Sequence, residues 1–163
     1  MKVNLRTYIE LIGIASLVAS LIFVGIQLIL DRRVSLGNAY QARAESRMEN
    51  LRMYVSNENL IRDSVERIEA GARPFYYTES IRLEGEKTGY SLEHIIRYSL
   101  LQQINMVSFD NIYYQRSLGF LEESYWDAAT ESLEQTKIFN PLVWEIYLNA
   151  AVNTDFIEYL ENF

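Results

Sequence analysis

Hydrophobic positions follow two different patterns along this chain. From Leu11 to Leu30 (LIGIASLVASLIFVGIQLIL) twenty consecutive residues carry no charge, fenced by Lys2, Arg6 and Glu10 before them and by Asp31, Arg32 and Arg33 after them. As a helix rising about 1.5 Å per residue, such a run is about 30 Å long, the thickness of a bilayer's hydrocarbon core. A helix is also the single-segment structure that pairs its own backbone polar groups there. The pattern predicts a transmembrane anchor over residues 1–30. Beyond it, apolar positions recur at helical spacing, which predicts a soluble α-helical bundle over residues 31–163.

Taken in order, Tyr40, Ala44, Met48, Leu51 and Val55 follow helical spacing with no intervening proline, so the anchor helix is expected to run on, or to resume after a kink near Gly37. Asn57 reads as an N-cap for a short helix carrying Leu60, Ile61, Val65 and Ile68 and stopping at Gly71. The stretch from Ala72 to Gly89, with Pro74, two glycines and the aromatic cluster Phe75-Tyr76-Tyr77, is the least regular, with a turn or two of helix between Thr78 and Lys87 at most. Ser91 caps the longest soluble helix, which runs from Leu92 to about Leu118 and ends at Gly119. Its apolar residues point nearly all round the axis, which predicts a buried central rod. Within it Gln102, Gln103 and Asn105 need partners if buried. An amphipathic helix follows from Leu121 to Gln135, with Tyr125, Trp126, Ala129 and Leu133 facing inward. Asn140-Pro141 opens another, and a last begins near Thr154. The predicted class is all-α: one N-terminal transmembrane helix continuing into, or followed by, a bundle of about five to six helices.

Charge sharpens this division. The chain carries −7, yet residues 31–55 hold five arginines (Arg32, Arg33, Arg43, Arg47, Arg52) against Asp31, Glu45 and Glu49, so the acidity lies in the distal domain. That distribution speaks against nucleic acid as a partner, because phosphates demand a basic surface. The arginines after the span outnumber Lys2 and Arg6 before it, which by the positive-inside rule favours a cytoplasmic carboxyl-terminal domain. A cleaved signal peptide would share the basic opening. However, its apolar run would be shorter, and a small-residue cleavage site would stand where Arg32-Arg33 does.

Three groups are candidates for contact. Gly13, Ser16, Ser20, Phe23 and Gln27 recur every three or four residues along one side of the span. Small residues allow a second helix to approach there, and the Gln27 amide can bond across the contact, although serines in membrane helices also bond their own backbone. Arg32, Arg33, Arg43 and Arg47 suit anionic lipid headgroups, or are simply solvated charges beside a membrane. Tyr113, Tyr114 and Arg116, close to Tyr125 and Trp126, read either as an interaction patch or as the bundle's own core.

Catalytic chemistry is not written in the chain. There is no cysteine and a single histidine, His94, which excludes thiolate chemistry and a di-iron pair of Glu-x-x-His motifs. No phosphate-binding glycine loop or calcium loop is present. Glu122, Glu123 and Asp127 read as a solvated helix face rather than an acid–base pair. No cofactor or metal is expected, and an enzyme is the disfavoured class.

The run IGIASLVASLIFVGIQLILDRR and the later NIYYQRSLGFLEESYW resemble a widespread group of functionally uncharacterised bacterial single-span membrane proteins with an N-terminal anchor and a small helical cytoplasmic domain. In that group the anchor ends in a glutamine followed by basic residues, matched here by Gln27 and Arg32-Arg33. The second signature is matched by Tyr113, Tyr114, Gln115, Gly119, Glu122, Glu123 and Trp126. Leu28, Ile29 and Leu30 depart from it by replacing a polar, basic turn, and the segment from Arg73 to Gly89 looks like an insertion. The resemblance implies topology and fold, with the bacterial inner membrane as location. The expected protein is therefore a non-catalytic interaction or scaffold protein that touches membrane lipid, self-associates through its span and engages an unidentified protein partner. A ligand-gated membrane effector is the alternative, and a membrane-bound enzyme a remote third.

Overall fold

The computed structural model describes residues 5–74 and 77–163, without the side chains of Leu5 and Thr7. Lys2, and Phe75 and Tyr76 of the predicted aromatic cluster, lie outside the described residues. The fold is all-α, with no strand among the described residues. Seven helices follow one another there: α1 (Leu5–Ser56), α2 (Glu58–Glu69), α3 (Glu79–Thr88), α4 (Leu92–Ser117), α5 (Glu123–Phe139), α6 (Pro141–Ala150) and α7 (Thr154–Glu161). The chain divides into two compact units, Met1–Ala39 and Tyr40–Phe163. α1 begins in the first and ends in the second.

The first unit holds the apolar run. Its helix is long and apolar enough to cross a membrane, with a window of mean hydropathy 2.4 that is not buried at all. Leu11, Ile14, Val18, Leu21, Phe23 and Leu28 are all exposed. Toward its start Arg6 and Glu10, one turn apart, pair at 3.0 Å.

The second unit is a bundle built around α4 and α6. Helix starts are closed by the side chains that the sequence nominates. Asn57 accepts from the backbone N–H groups of Asn59 (3.0 Å) and Leu60 (3.3 Å), Ser91 from that of His94 (3.2 Å), and Asn140 from that of Val143 (3.4 Å). Each satisfies a donor that the first turn leaves without an intrahelical partner. Gly89 (φ 70°) and Gly119 (φ 77°) adopt the left-handed conformation where α3 and α4 stop, a geometry disfavoured for any residue with a Cβ.

Two apolar clusters fill the bundle. One joins Ile61 and Ile68 of α2, Tyr77, Ile81 of α3, Ile96 and Leu100 of α4, and Ile146 of α6. The other joins Met106 of α4, Leu133 of α5, Val143, Tyr147 and Ala150 of α6, and Phe156 and Leu160 of α7. α4 and α6 contribute to both, so they tie the clusters into one bundle. The stripe Tyr40, Ala44, Met48, Leu51 and Val55 is the side of α1 withdrawn from solvent in this unit, Ala44 fully so.

Three expectations change. α4 is not buried on every side: His94, Leu101 and Asn105, spaced along one stripe, face solvent, and Leu101 is 47% exposed. Of its amides, Asn105 bonds Gln102 at the surface (3.3 Å), while Gln103 is buried with its Oε1 unpartnered. α5 starts two residues after Leu121 and runs past Gln135 to Phe139. Trp126, Ala129 and Leu133 fill its inner side at helical spacing, and Tyr125, about 100° round from Trp126, is 56% exposed. The irregular stretch also holds a real helix, α3, capped by Thr78 and pressed so closely on α4 that a Cβ at Gly85 would stand 2.1 Å from Cδ1 of Ile95.

Candidate functional site

The side chains that mark the proposed contact side of the span, Ser16, Ser20, Phe23 and Gln27, are all exposed, as is Gly13. Apart from the helix's own backbone and the adjoining residues, no described atom lies within 4 Å of a Cβ built on Gly13 or Gly25, so the backbone there is open to close approach. Arg32, Arg33 and Arg43 are exposed as well. Arg47 differs from them, because its guanidinium is turned into the fold and donates to the carbonyl of Ala150 at 2.8 Å. That carbonyl lies in the last turn of α6, where the helix leaves acceptors without intrahelical donors.

Close to Arg47, the bundle holds a polar clamp that periodicity could not reveal. Asp110 on α4 is buried at 4% exposure. Its Oδ1 accepts from the Tyr40 hydroxyl at 2.7 Å, and its Oδ2 from the backbone N–H groups of Val152 and Asn153, both at 3.3 Å. The Tyr40 ring stacks on Tyr114 with centroids 3.9 Å apart. Three donors thus converge on one carboxylate and join α1, α4 and the α6–α7 connection. Asn153 in turn caps α7 through Asp155 and Phe156.

A second clamp fixes the end of α1. Arg97 of α4 donates to the carbonyl of Val55, and pairs with Glu58 of α2 (2.8 Å) and Glu93 of its own helix (3.0 Å). The hydrogen bond to Glu93 comes first among the effects that raise its pKa and hold the guanidinium charged.

The aromatic candidates separate. Tyr113 belongs to the core, with its ring 4.9 Å from Phe156, 5.4 Å from Tyr159 and 5.9 Å from Trp126, and burial pushes its phenol up. Tyr114 is the stacking partner of Tyr40. Arg116 lies 4.5 Å over the Trp126 ring and pairs with Glu123 at 3.0 Å, so it covers the core's edge. All three thus make contacts within the bundle, with Arg116 still exposed, and Tyr125 and Phe120 are exposed aromatics nearby.

No grouping of three histidine, aspartate or glutamate side chains suited to a metal exists among the described residues. His94 stands at the start of α4 with its ring 4.6 Å from that of Tyr90, on the rim of a cavity of about 480 Å³ between α3, α4 and the α5–α6 junction. No family model, curated protein or solved structure matches the chain. The fold itself defines the class: an all-α protein in which a long, apolar, unburied N-terminal helix precedes a helical bundle.

Proposed function

We propose that this protein is a single-pass membrane-anchored, non-catalytic interaction or scaffold protein of the bacterial inner membrane, with its helical bundle in the cytoplasm and self-association through the span. The observation that carries the reading is the contrast within the chain. The bundle withdraws most of its large aliphatic side chains from solvent, with Leu83, Leu101, Ile138 and Val152 among those left exposed, whereas the run from Leu11 to Leu30 buries none. In water each such side chain forgoes roughly 1.5–3 kcal/mol of burial, and a bilayer removes that deficit. Exposed Arg32, Arg33 and Arg43 after the run support a cytoplasmic bundle. The open backbone at Gly13 supports close packing of a second copy along Ser16, Ser20 and Gln27.

The test is the mass of the detergent-solubilised full chain, with one cysteine introduced on the same side of the span, as Phe23→Cys, for cross-linking in membranes. Cross-linked dimers, lost in the Ser16→Leu/Ser20→Leu variant, are expected. A monomer that fails to cross-link at any position round the helix would overturn self-association, and extraction of the chain by carbonate would overturn the anchor. A second reading, a ligand-gated effector whose associated spans perturb the bilayer, is favoured by the cavity in the bundle.

A further inference from the structure

The guanidinium groups of this protein are mostly engaged. Arg6, Arg52, Arg67, Arg82, Arg97 and Arg116 pair with carboxylates, and Arg47, Arg62 and Arg73 donate to carbonyl or amide oxygens. Among the described residues, Arg32, Arg33 and Arg43 are the arginines whose side chains hold no hydrogen bond or ion pair, and all three are exposed. Arg43 belongs to the second compact unit, whereas Arg32 and Arg33 stand side by side in the first.

The sequence explains why this pair is free. On a helix a side chain meets those three and four residues away. For Arg32 and Arg33 these neighbours are Leu28, Ile29, Leu30, Ser35, Leu36 and Gly37, none of which carries a charge. Arg6 and Arg67 differ, because Glu10 and Asp63 lie one turn from them. Asp31 adjoins the pair without facing it: at about 100° per residue it is turned about 100° from Arg32 and about 160° from Arg33.

Position along α1 selects the partner. At about 1.5 Å per residue, Arg32 and Arg33 follow Leu30 by about 3 and 4.5 Å. The headgroup layer adds roughly 5–7 Å to each side of the hydrocarbon core, so with Leu30 at the edge of the core both arginines stand at the depth of the lipid phosphates. The exposed Val34 and Leu36 keep the helix partly apolar just past them. At the other end of the run Arg6 is already taken by Glu10 at 3.0 Å.

From this placement we infer that Arg32 and Arg33 form a binding site for the phosphate of an anionic phospholipid of the phosphatidylglycerol type, in the leaflet at the carboxyl end of the span. A guanidinium offers phosphate oxygens two parallel N–H donors. Zwitterionic lipids carry the same phosphate, but their own ammonium group balances it, so an uncompensated pair of arginines prefers the anionic lipid. The site rests on the proposed anchor and does not require self-association.

The test uses the full chain in phosphatidylcholine vesicles with trace spin-labelled phosphatidylglycerol or phosphatidylcholine. The motionally restricted fraction of each label gives its relative association constant, and both leaflets are labelled, so the orientation of the chain does not affect the reading. Phosphatidylglycerol is expected to be preferred about fivefold or more, the ratio that one arginine at a membrane surface supplies, and the preference should shrink in high salt. Arg32→Gln/Arg33→Gln should bring the ratio close to one with unchanged helicity. Arg62→Gln/Arg67→Gln, which removes the same charge from the bundle, should leave the ratio as in the parent. Equal association of the two lipids with the parent chain, or an equal loss in both variants, would overturn the site. Inorganic phosphate should displace the labelled lipid no better than chloride at the same ionic strength; specific displacement would overturn the lipid as the source of the phosphate. Carbonate extraction of the chain would overturn the anchor and this site with it, whereas a chain that resists extraction yet shows no lipid preference overturns this site alone.

Discussion

Tyr40 and Asp110 stand seventy residues apart in the chain and 2.7 Å apart in space, the tyrosine hydroxyl donating to a carboxylate that also receives the N–H groups of Val152 and Asn153. The relationship decides how the final turns of α1 are held in the bundle. Asp110→Ala would leave a phenol and two backbone donors without their acceptor in a part-buried setting. Removing the acceptor of one such group costs about 1–3 kcal/mol, so the variant should lose about 3 kcal/mol or more. Tyr40→Phe should lose about 1 to 2 kcal/mol. A double-mutant cycle of Tyr40→Phe with Asp110→Asn, read by thermal unfolding of the full chain in detergent, should give a coupling well above the additivity error of about 0.5 kcal/mol. Strict additivity would show that the bond contributes nothing.

Arg97 supplies a second prediction. One guanidinium reaches the Val55 carbonyl, Glu58 and Glu93, a geometry that an ammonium on a four-carbon stem cannot reproduce. Arg97→Lys should therefore behave as a loss rather than a conservative change, destabilising by about 1–2 kcal/mol. The sharper readout is local. Amide hydrogen exchange between residues 52 and 60 should accelerate more than exchange in α5 or α7. Uniform acceleration would mean that the residue stabilises the bundle without fixing the end of α1.

At Gly85 two effects oppose each other. Alanine is a better helix former than glycine by about 0.8–1.0 kcal/mol, but its Cβ would stand 2.1 Å from Cδ1 of Ile95. Alone, Gly85→Ala should destabilise by about 1 kcal/mol, because the Ile95 methyl must leave its place in a packed contact. In an Ile95→Val background the clashing Cδ1 is gone and Cγ1, at 3.4 Å, is tolerable. There the same substitution should become stabilising. A change of sign between the two backgrounds, measured by urea unfolding, tests the contact; the same sign in both refutes it.

How much of this was legible depended on whether the signal was local. The apolar run, the caps at Asn57, Ser91 and Asn140, and the stop at Gly119 are written in adjacent residues, and each holds in the structure. α3 was nearly invisible, because its buried positions are only Ile81 and a glycine in an otherwise polar segment. The inward residue of Tyr125-Trp126 could not be separated from its neighbour, since adjacent aromatics differ only by rotation about the helix. The clamps were out of reach altogether. Arg47 finds its acceptor 103 residues away, and Asp110 is an acid in an apolar helix whose partners come from two distant segments. Tyr113, Tyr114 and Arg116 make contacts within the bundle whose partners, Phe156, Tyr40 and Trp126, adjacency in sequence does not name.

Tyr147 gives the bundle a dependence on alkaline pH whose sign is fixed by burial. Its ring is 3% exposed in the second cluster, and burial first, then the charge that would form on Tyr98, push its phenol from 10.0 up to about 12. The folded chain therefore keeps this proton through a range in which the unfolded chain releases it. A raised folded pKa contributes stability that is complete below the unfolded value and is lost as pH rises toward the folded one. Thermal stability attributable to Tyr147 should hold up to about pH 10, decline between there and about 12, and show no matching loss on the acid side. Tyr147→Phe cannot ionise, so its stability should fall less steeply over the same interval, while differing from the parent by less than about 1 kcal/mol at neutral pH. Some slope will persist, because burial raises Tyr77 and Tyr113 in the same direction. Melting temperatures of parent and variant across that range check the claim. Parallel profiles would mean that the Tyr147 phenol ionises in the fold as readily as in the unfolded chain.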